Sequence, residues 1–127
     1  MKKLNNILMS GFHLFNLTLI SFYLYPGSIL GYVLYGDFTQ QPEVYKNFGI
    51  SLNHFYAFIF LSTLGVLAYR NSNKINFLIK YLFSISIILE LTHIIIPQRG
   101  FELKDLFGNI LGTILIIGIY KFKKKNV

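Results

Sequence analysis

The chain has no cysteine, which excludes disulfides, thiolate metal sites and cysteine nucleophiles. Acidic side chains are scarce too: five Asp and Glu stand against twelve Lys and Arg. Charged residues make up 13% of the 127-residue chain, roughly half of the ~25% typical of soluble domains. With 54% of the residues apolar, a water-soluble fold is not expected. The sequence also lacks an internal repeat, a Walker loop, a His-Glu-x-x-His zinc signature and a recognisable nucleophile motif. The net charge of +7 does not indicate nucleic acid, because the basic residues lie between apolar runs rather than along one folded face. The length suits a single domain over residues 1–127, with no separate soluble module.

A helix needs ~20 largely apolar residues to cross the ~30 Å hydrocarbon core. Four stretches approach this, at about 7–25, 54–69, 75–96 and 106–120. They predict an all-α, multi-pass transmembrane bundle of four helices. Met1, Lys2 and Lys3 before the first run resemble the start of a signal peptide. No small-x-small cleavage site follows, so the run reads as a retained anchor. Ile29 to Tyr35 is apolar but too short to span, and is expected to be an interfacial or re-entrant piece within the 26–53 connection.

Basic residues predict the orientation. Nine of the twelve Lys and Arg, namely Lys2, Lys3, Arg70, Lys74, Lys80, Lys121, Lys123, Lys124 and Lys125, fall at the two ends and in the second connection. Lys46, Arg99 and Lys104 fall in the first and third connections. By the positive-inside rule both termini are expected in the cytoplasm of a plasma-membrane protein, and the first and third connections, with the polar residues near them, are expected to face outward. The tail over 121–127 is then expected to rest against anionic headgroups. Tyr23, Tyr25, Tyr69 and Tyr120 fit an aromatic belt.

Against this background the remaining polar residues stand out, because a charge in hydrocarbon costs at least ~2.5 kcal/mol. Glu90 lies six residues before the end of the third apolar run, roughly 9 Å inside it by helical rise. His93 projects about 60° round from it. Pro97 marks the outer end of that span. Asp105 falls where the fourth helix begins, a favourable place for a carboxylate, with Asn109 one turn on. Gly108 and Gly112 form a small-xxx-small pair that admits a neighbouring helix. On the second span Ala57, Leu61, Gly65 and Ala68 form a small-residue stripe. Packing of that stripe on Gly108 and Gly112 is expected to carry His54 toward Glu90 and Asp105. His13, near the opposite end, is not part of this group.

The run Glu90-Leu91-Thr92-His93-Ile94-Ile95-Ile96-Pro97-Gln98-Arg99, continued by Asp105, Asn109 and Gly112, resembles the signature of VanZ-like membrane proteins. His54 followed by an aromatic residue matches that family's earlier histidine. The resemblance covers about residues 52–118. It departs where Ser51, Leu52 and Asn53 replace an Asp-Lys pair before the histidine, and where His93 stands in place of the commoner glutamine. The family takes its name from an accessory factor of glycopeptide resistance. The resemblance therefore implies a cell-envelope membrane protein without a specific reaction.

Two functional readings follow. In one, Glu90, His93, His54 and Asp105 are acid–base groups, since a buried carboxyl and an imidazole can both titrate near neutrality. Arg99, Lys104 and Asn109 then bind a lipid-linked or anionic amphiphile, such as an envelope lipid phosphate or a glycopeptide-type antibiotic, either as a substrate or, in a non-catalytic binding or shielding protein, as a ligand held without reaction. In the other, the same groups are a polar interhelical staple, with Asp105 a helix cap and the glycines packing residues. The sequence leaves enzymatic activity and oligomeric state open. No cofactor is expected, and metal binding by His54, Glu90, His93 and Asp105 matches no familiar spacing. The lipid bilayer is the expected partner.

Overall fold

The structure, a computed structural model, describes residues 2–45 and 49–126. Lys46, counted above among the outward-facing basic residues, lies outside the described residues. Five helices follow in order: α1 Lys2–Leu24, α2 Ile29–Tyr35, α3 Leu52–Tyr69, α4 Ile75–Thr92 and α5 Leu103–Lys125. There is no strand among the described residues. Hydrocarbon offers no partner for backbone N–H and C=O groups, so a spanning segment must satisfy them internally, as a helix does. Four of the helices are long and apolar enough to cross a membrane. Between 22% and 39% of each apolar window is buried inside the bundle, so most apolar side chains point outward. Leu14, Leu17, Phe77, Ile88 and Leu115 are all exposed, a surface that lipid tolerates and water does not.

Hydrogen bonds and close approaches define the topology. The first turns of α3 and α5 meet at Gly108 and the next turns at Gly112, so these helices run parallel. α1 runs antiparallel to α3, with His13 near Tyr69 at one end and Tyr23 near His54 at the other. α4 runs with α1, tied by Asn16 Nδ2 donating to the Tyr81 hydroxyl at 2.6 Å. Phe12, Leu19, Phe58, Leu61, Leu78 and Leu82 form the centre of the apolar core.

α3 and α5 pack as expected, but on a different face of α3. Gly108 and Gly112 approach Ser51, His54, Phe55, Phe58 and Ile59, not the Ala57–Leu61–Gly65 stripe. Gly65 instead makes room for the Phe12 ring from α1 and for Leu78 from α4. Small residues permit close approach without selecting the partner. The bulky Phe12 needs a hollow, and Gly65 supplies one.

α4 ends at Thr92 rather than near Pro97. Beyond it His93, Ile94 and Ile95 donate to oxygens three residues back, tightening the chain into turns before the proline. Glu90 therefore sits in the last turn of its helix. It is nevertheless completely buried, because neighbouring segments cover it. α5 starts at Leu103 with Glu102 at its N-cap position, which places Asp105 in the first turn rather than at the cap and leaves its side chain free to face α3.

The short apolar segment within the 26–53 connection is helical, as α2. At 1.5 Å per residue its seven residues reach about 10 Å. Ser28 caps it, its hydroxyl accepting from the Gly31 N–H at 2.9 Å, and Gly36 ends it with φ 71°, in the left-handed region that favours glycine. Asn53 ties the connection to α3 by accepting from Val44 N–H and donating to the Pro42 carbonyl. Ser28→Ala is expected to cost about 1 kcal/mol, as lost N-caps do. Hydrogen exchange should quicken at residues 29–36 and nowhere else; unchanged exchange there would show that the cap does not hold α2.

Candidate functional site

The ends of α1, α3, α4 and α5 nearest α2 enclose a polar cluster. The reason begins with α1. The last four carbonyls of a helix have no partner within it. Arg99 Nη2 donates to the Phe22 carbonyl at 2.7 Å and His93 Nε2 donates to the Tyr23 carbonyl at 3.1 Å. The turns after α4 thus cap α1, which seats Tyr23 in the middle of the bundle, 6% exposed. Its ring stacks on His93 with centroids 5.2 Å apart. Tyr23 is therefore not the interfacial belt residue that its position near a span end implied.

The Asn109 amide defines the directions of the remaining bonds. Asn109 is fully buried, and its Nδ2 donates to the Ser86 carbonyl at 3.1 Å. Its Oδ1 is then an acceptor, taking the Tyr23 hydroxyl proton at 2.7 Å. The Tyr23 oxygen is left to accept from His54 Nδ1–H at 2.6 Å, with Asn109 Oδ1 also within 3.1 Å of that nitrogen. With Nδ1 engaged by Tyr23, His54 turns its other nitrogen, Nε2, toward Asp105 Oδ2, 3.5 Å away.

A second pair lies beside it. His93 Nε2 must carry a proton to donate to a carbonyl, and its Nδ1 faces Glu90 Oε1 at 3.3 Å. Oε1 also accepts from the Glu102 N–H at 3.1 Å. Glu90 Oε2 is buried with no hydrogen-bond partner and lies 3.9 Å from His54 Nδ1. One donor atom from each of His54, Glu90 and Asp105 lies within 4.8 Å of the other two. Two carboxyl groups and two imidazoles in contact can pass protons or grip a cation.

Arg99 is half-buried beside this cluster, and burial pushes its guanidinium below its ordinary range. No carboxylate lies within 4.0 Å of it among the described residues, and its Nε is buried without an acceptor. It lines a cavity of about 120 Å³ together with His54, Asn53 and the apolar Leu19, Phe22 and Leu30.

The structure thus brings together His54, Glu90, His93, Asp105 and Asn109, with Arg99 at the margin. Lys104 does not join them. Its ammonium pairs with Glu102 at 3.1 Å and Glu43 at 3.5 Å. His13 lies apart, bonded to the Tyr69 hydroxyl at 3.1 Å, on a separate cavity of about 350 Å³ with Asn16, Lys74 and Tyr81. Tyr23 and Ser86 were not anticipated. The available signal was the need of a buried tyrosine hydroxyl for a partner, which a lone sequence position cannot reveal.

Four apolar helices closed around a polar cluster at one end define a multi-pass membrane protein with ionisable groups, Glu90 and His93 among them, buried inside its own bundle. The particular family follows from residues 7–124, which match VanZ/LLP1, and the chain belongs to that family. The matched region takes in α1, and so Tyr23, beyond the 52–118 segment that carried the resemblance. No curated protein and no solved structure matches the chain.

Proposed function

We propose that this VanZ-family protein holds the anionic headgroup of a lipid-linked amphiphile against Arg99, beside groups able to exchange protons with it. The observation that supports this reading is Arg99 itself. Among the described residues no carboxylate lies within 4.0 Å of this half-buried guanidinium, and its buried Nε–H has no acceptor, so an anion bound there would satisfy both. The cavity it shares with His54 has apolar walls suited to the first carbons of a lipid chain. A planar guanidinium matches a phosphate through paired N–H donors. Glu90–His93 and His54–Asp105 then stand as acid–base pairs. Nine of twelve basic residues lie at the opposite end by chain order, so the positive-inside rule turns the site outward from the cytoplasm. Envelope and antibiotic-resistance associations belong to the family, and an envelope lipid phosphate is the ligand class this site fits.

Binding of a fluorescent lipid monophosphate to the protein in nanodiscs tests the reading. Arg99→Gln is expected to weaken it about tenfold or more, since a hydrogen bond to a charged group is worth ~1.5–3 kcal/mol. Glu90→Gln should bind the probe and lose any conversion of it. Equal affinity of Arg99→Gln and the parent would refute the anion site.

A second reading has its own support. The Tyr23–His54–Asn109–Ser86 chain of hydrogen bonds touches all four spans, as an interhelical staple would. In that reading Arg99 serves only to cap α1, and the lipid probe shows no preference for anionic headgroups.

A further inference from the structure

We infer that His54 Nε2, the Asp105 carboxylate and Glu90 Oε2 form a binding site for one divalent first-row cation of the zinc type. This goes beyond headgroup binding and does not depend on it.

The first support is the histidine's tautomer. The Ser86 carbonyl orients Asn109, Asn109 orients the Tyr23 hydroxyl, and the hydroxyl oxygen takes the His54 Nδ1 proton. A metal-bound histidine is typically prepared in this way, its far N–H held by a second group so that the other nitrogen points its lone pair at the metal. Here the nitrogen left facing the site, Nε2, lies 3.5 Å from Asp105 Oδ2. Two lone pairs facing one another repel unless a proton or a metal ion lies between them.

Glu90 supplies independent support. Its side chain is 0% exposed, and Oε2 has no hydrogen-bond partner, a costly condition for a buried carboxyl oxygen. The other oxygen is anchored by His93 and by the Glu102 N–H, which aims Oε2 at the space beside His54. An oriented carboxylate with one oxygen held and one free has the outer-shell support of a metal ligand.

The dimensions and the donor types agree. Donor atoms in a tetrahedral site with bonds of 2.0–2.1 Å are about 3.4 Å apart. One donor atom from each of the three residues lies within 4.8 Å of the other two, so closure on one ion needs shifts of about 1 Å or more, with Glu90 Oε2 moving from beside Nδ1 toward Nε2. One imidazole nitrogen and two carboxylate oxygens suit zinc, manganese or cobalt. Three protein ligands leave a further position on the ion for water or an anionic oxygen. His54 also lines the cavity that reaches Arg99, and a ligand bound there would lie close to that open position.

The experiment uses the full chain, purified in detergent without a polyhistidine tag, stripped with chelator and titrated with ZnCl2 or CoCl2 alone. The parent is expected to bind one zinc per chain by elemental analysis and to show visible cobalt bands of a low-coordinate nitrogen–oxygen site. His54→Ala and Asp105→Asn should abolish the bands. Tyr23→Phe, which removes only the outer support, should weaken zinc binding roughly 10- to 100-fold. His13→Ala should bind like the parent. Circular dichroism reports whether each variant stays helical. Should Glu90→Gln or His54→Ala unfold, Asp105→Asn and Tyr23→Phe decide, since Asp105 is 13% exposed and phenylalanine fills the tyrosine's space. Absence of saturable zinc and cobalt binding by the parent would overturn the inference. Equal binding by the parent and a folded Asp105→Asn would also overturn it, placing the metal elsewhere. Lipid-phosphate binding is read separately, so loss of the metal site leaves the anion reading standing, and the converse also holds.

Discussion

Gly112→Leu is expected to separate α3 from α5 and to remove most folded protein from the membrane. A Cβ on Gly112 would lie 2.5 Å from the Phe55 carbonyl oxygen and 3.1 Å from Ile59 N. These are backbone atoms of an intact helix and cannot rotate aside. At Gly108 the corresponding distances are 2.6 Å to the Ser51 oxygen and 3.2 Å to Phe55 N. Either substitution must push the two helices apart, and overpacking of this kind typically costs about 1–3 kcal/mol, sometimes more. The loss falls on the contact that places His54 opposite Asp105, so lipid-phosphate and zinc binding should fail with it. Gly118→Leu is the control, because a Cβ there meets nothing within 4 Å. Membrane levels and thermal unfolding in detergent read the effect. A Gly112→Leu protein with the melting behaviour of Gly118→Leu would show that α3 and α5 do not pack through this face.

Asn109→Leu should have the next largest effect. The change nearly conserves volume and removes the partners of the Ser86 carbonyl, the Tyr23 hydroxyl and His54 Nδ1. Interhelical hydrogen bonds in membranes average ~0.6 kcal/mol and reach ~1.7. Three lost together therefore amount to about 2–5 kcal/mol. The alternative scale, taken from water-soluble cores, gives ~1–3 kcal/mol for each orphaned group and is too high here, because an unfolded span in lipid finds other partners. A second consequence is specific to the network. Without Asn109 the Tyr23 hydroxyl is free to donate to His54, which would move the imidazole proton to Nε2 and weaken zinc binding even in the fraction that folds. Unfolding temperature and zinc affinity both report on this variant. Asn109→Leu with parental stability would mean that the polar chain does not hold the spans together.

Much of the site was legible before the structure, for reasons that differ by residue. Glu90, His93, Asp105 and Asn109 stood out because a carboxyl or amide in an apolar run requires a partner, and helical spacing placed them at the same end of neighbouring spans. Lys104 stood out for the same charge-based reason but proved to be paired with Glu43 and Glu102 outside the cluster. A sequence can register a charge without showing which opposite charge lies nearest. Tyr23 was read as an interfacial aromatic, since tyrosines near span ends commonly are. Its actual place depends on the capping of α1 by Arg99 and His93, residues about seventy positions away.

Sequence alone determined the four spans, their alternating direction and the end of the bundle at which the acids and imidazoles collect. Hydrocarbon enforces these features locally: a run of apolar residues must form a helix, and a charge must move toward the ends or find a partner. Tertiary structure decided which face of α3 meets Gly108 and Gly112, that Gly65 receives Phe12, and which nitrogen of His54 faces Asp105. These outcomes depend on shape and hydrogen-bond direction between distant segments. Periodicity and composition leave both undetermined, because several pairings bury the same apolar area.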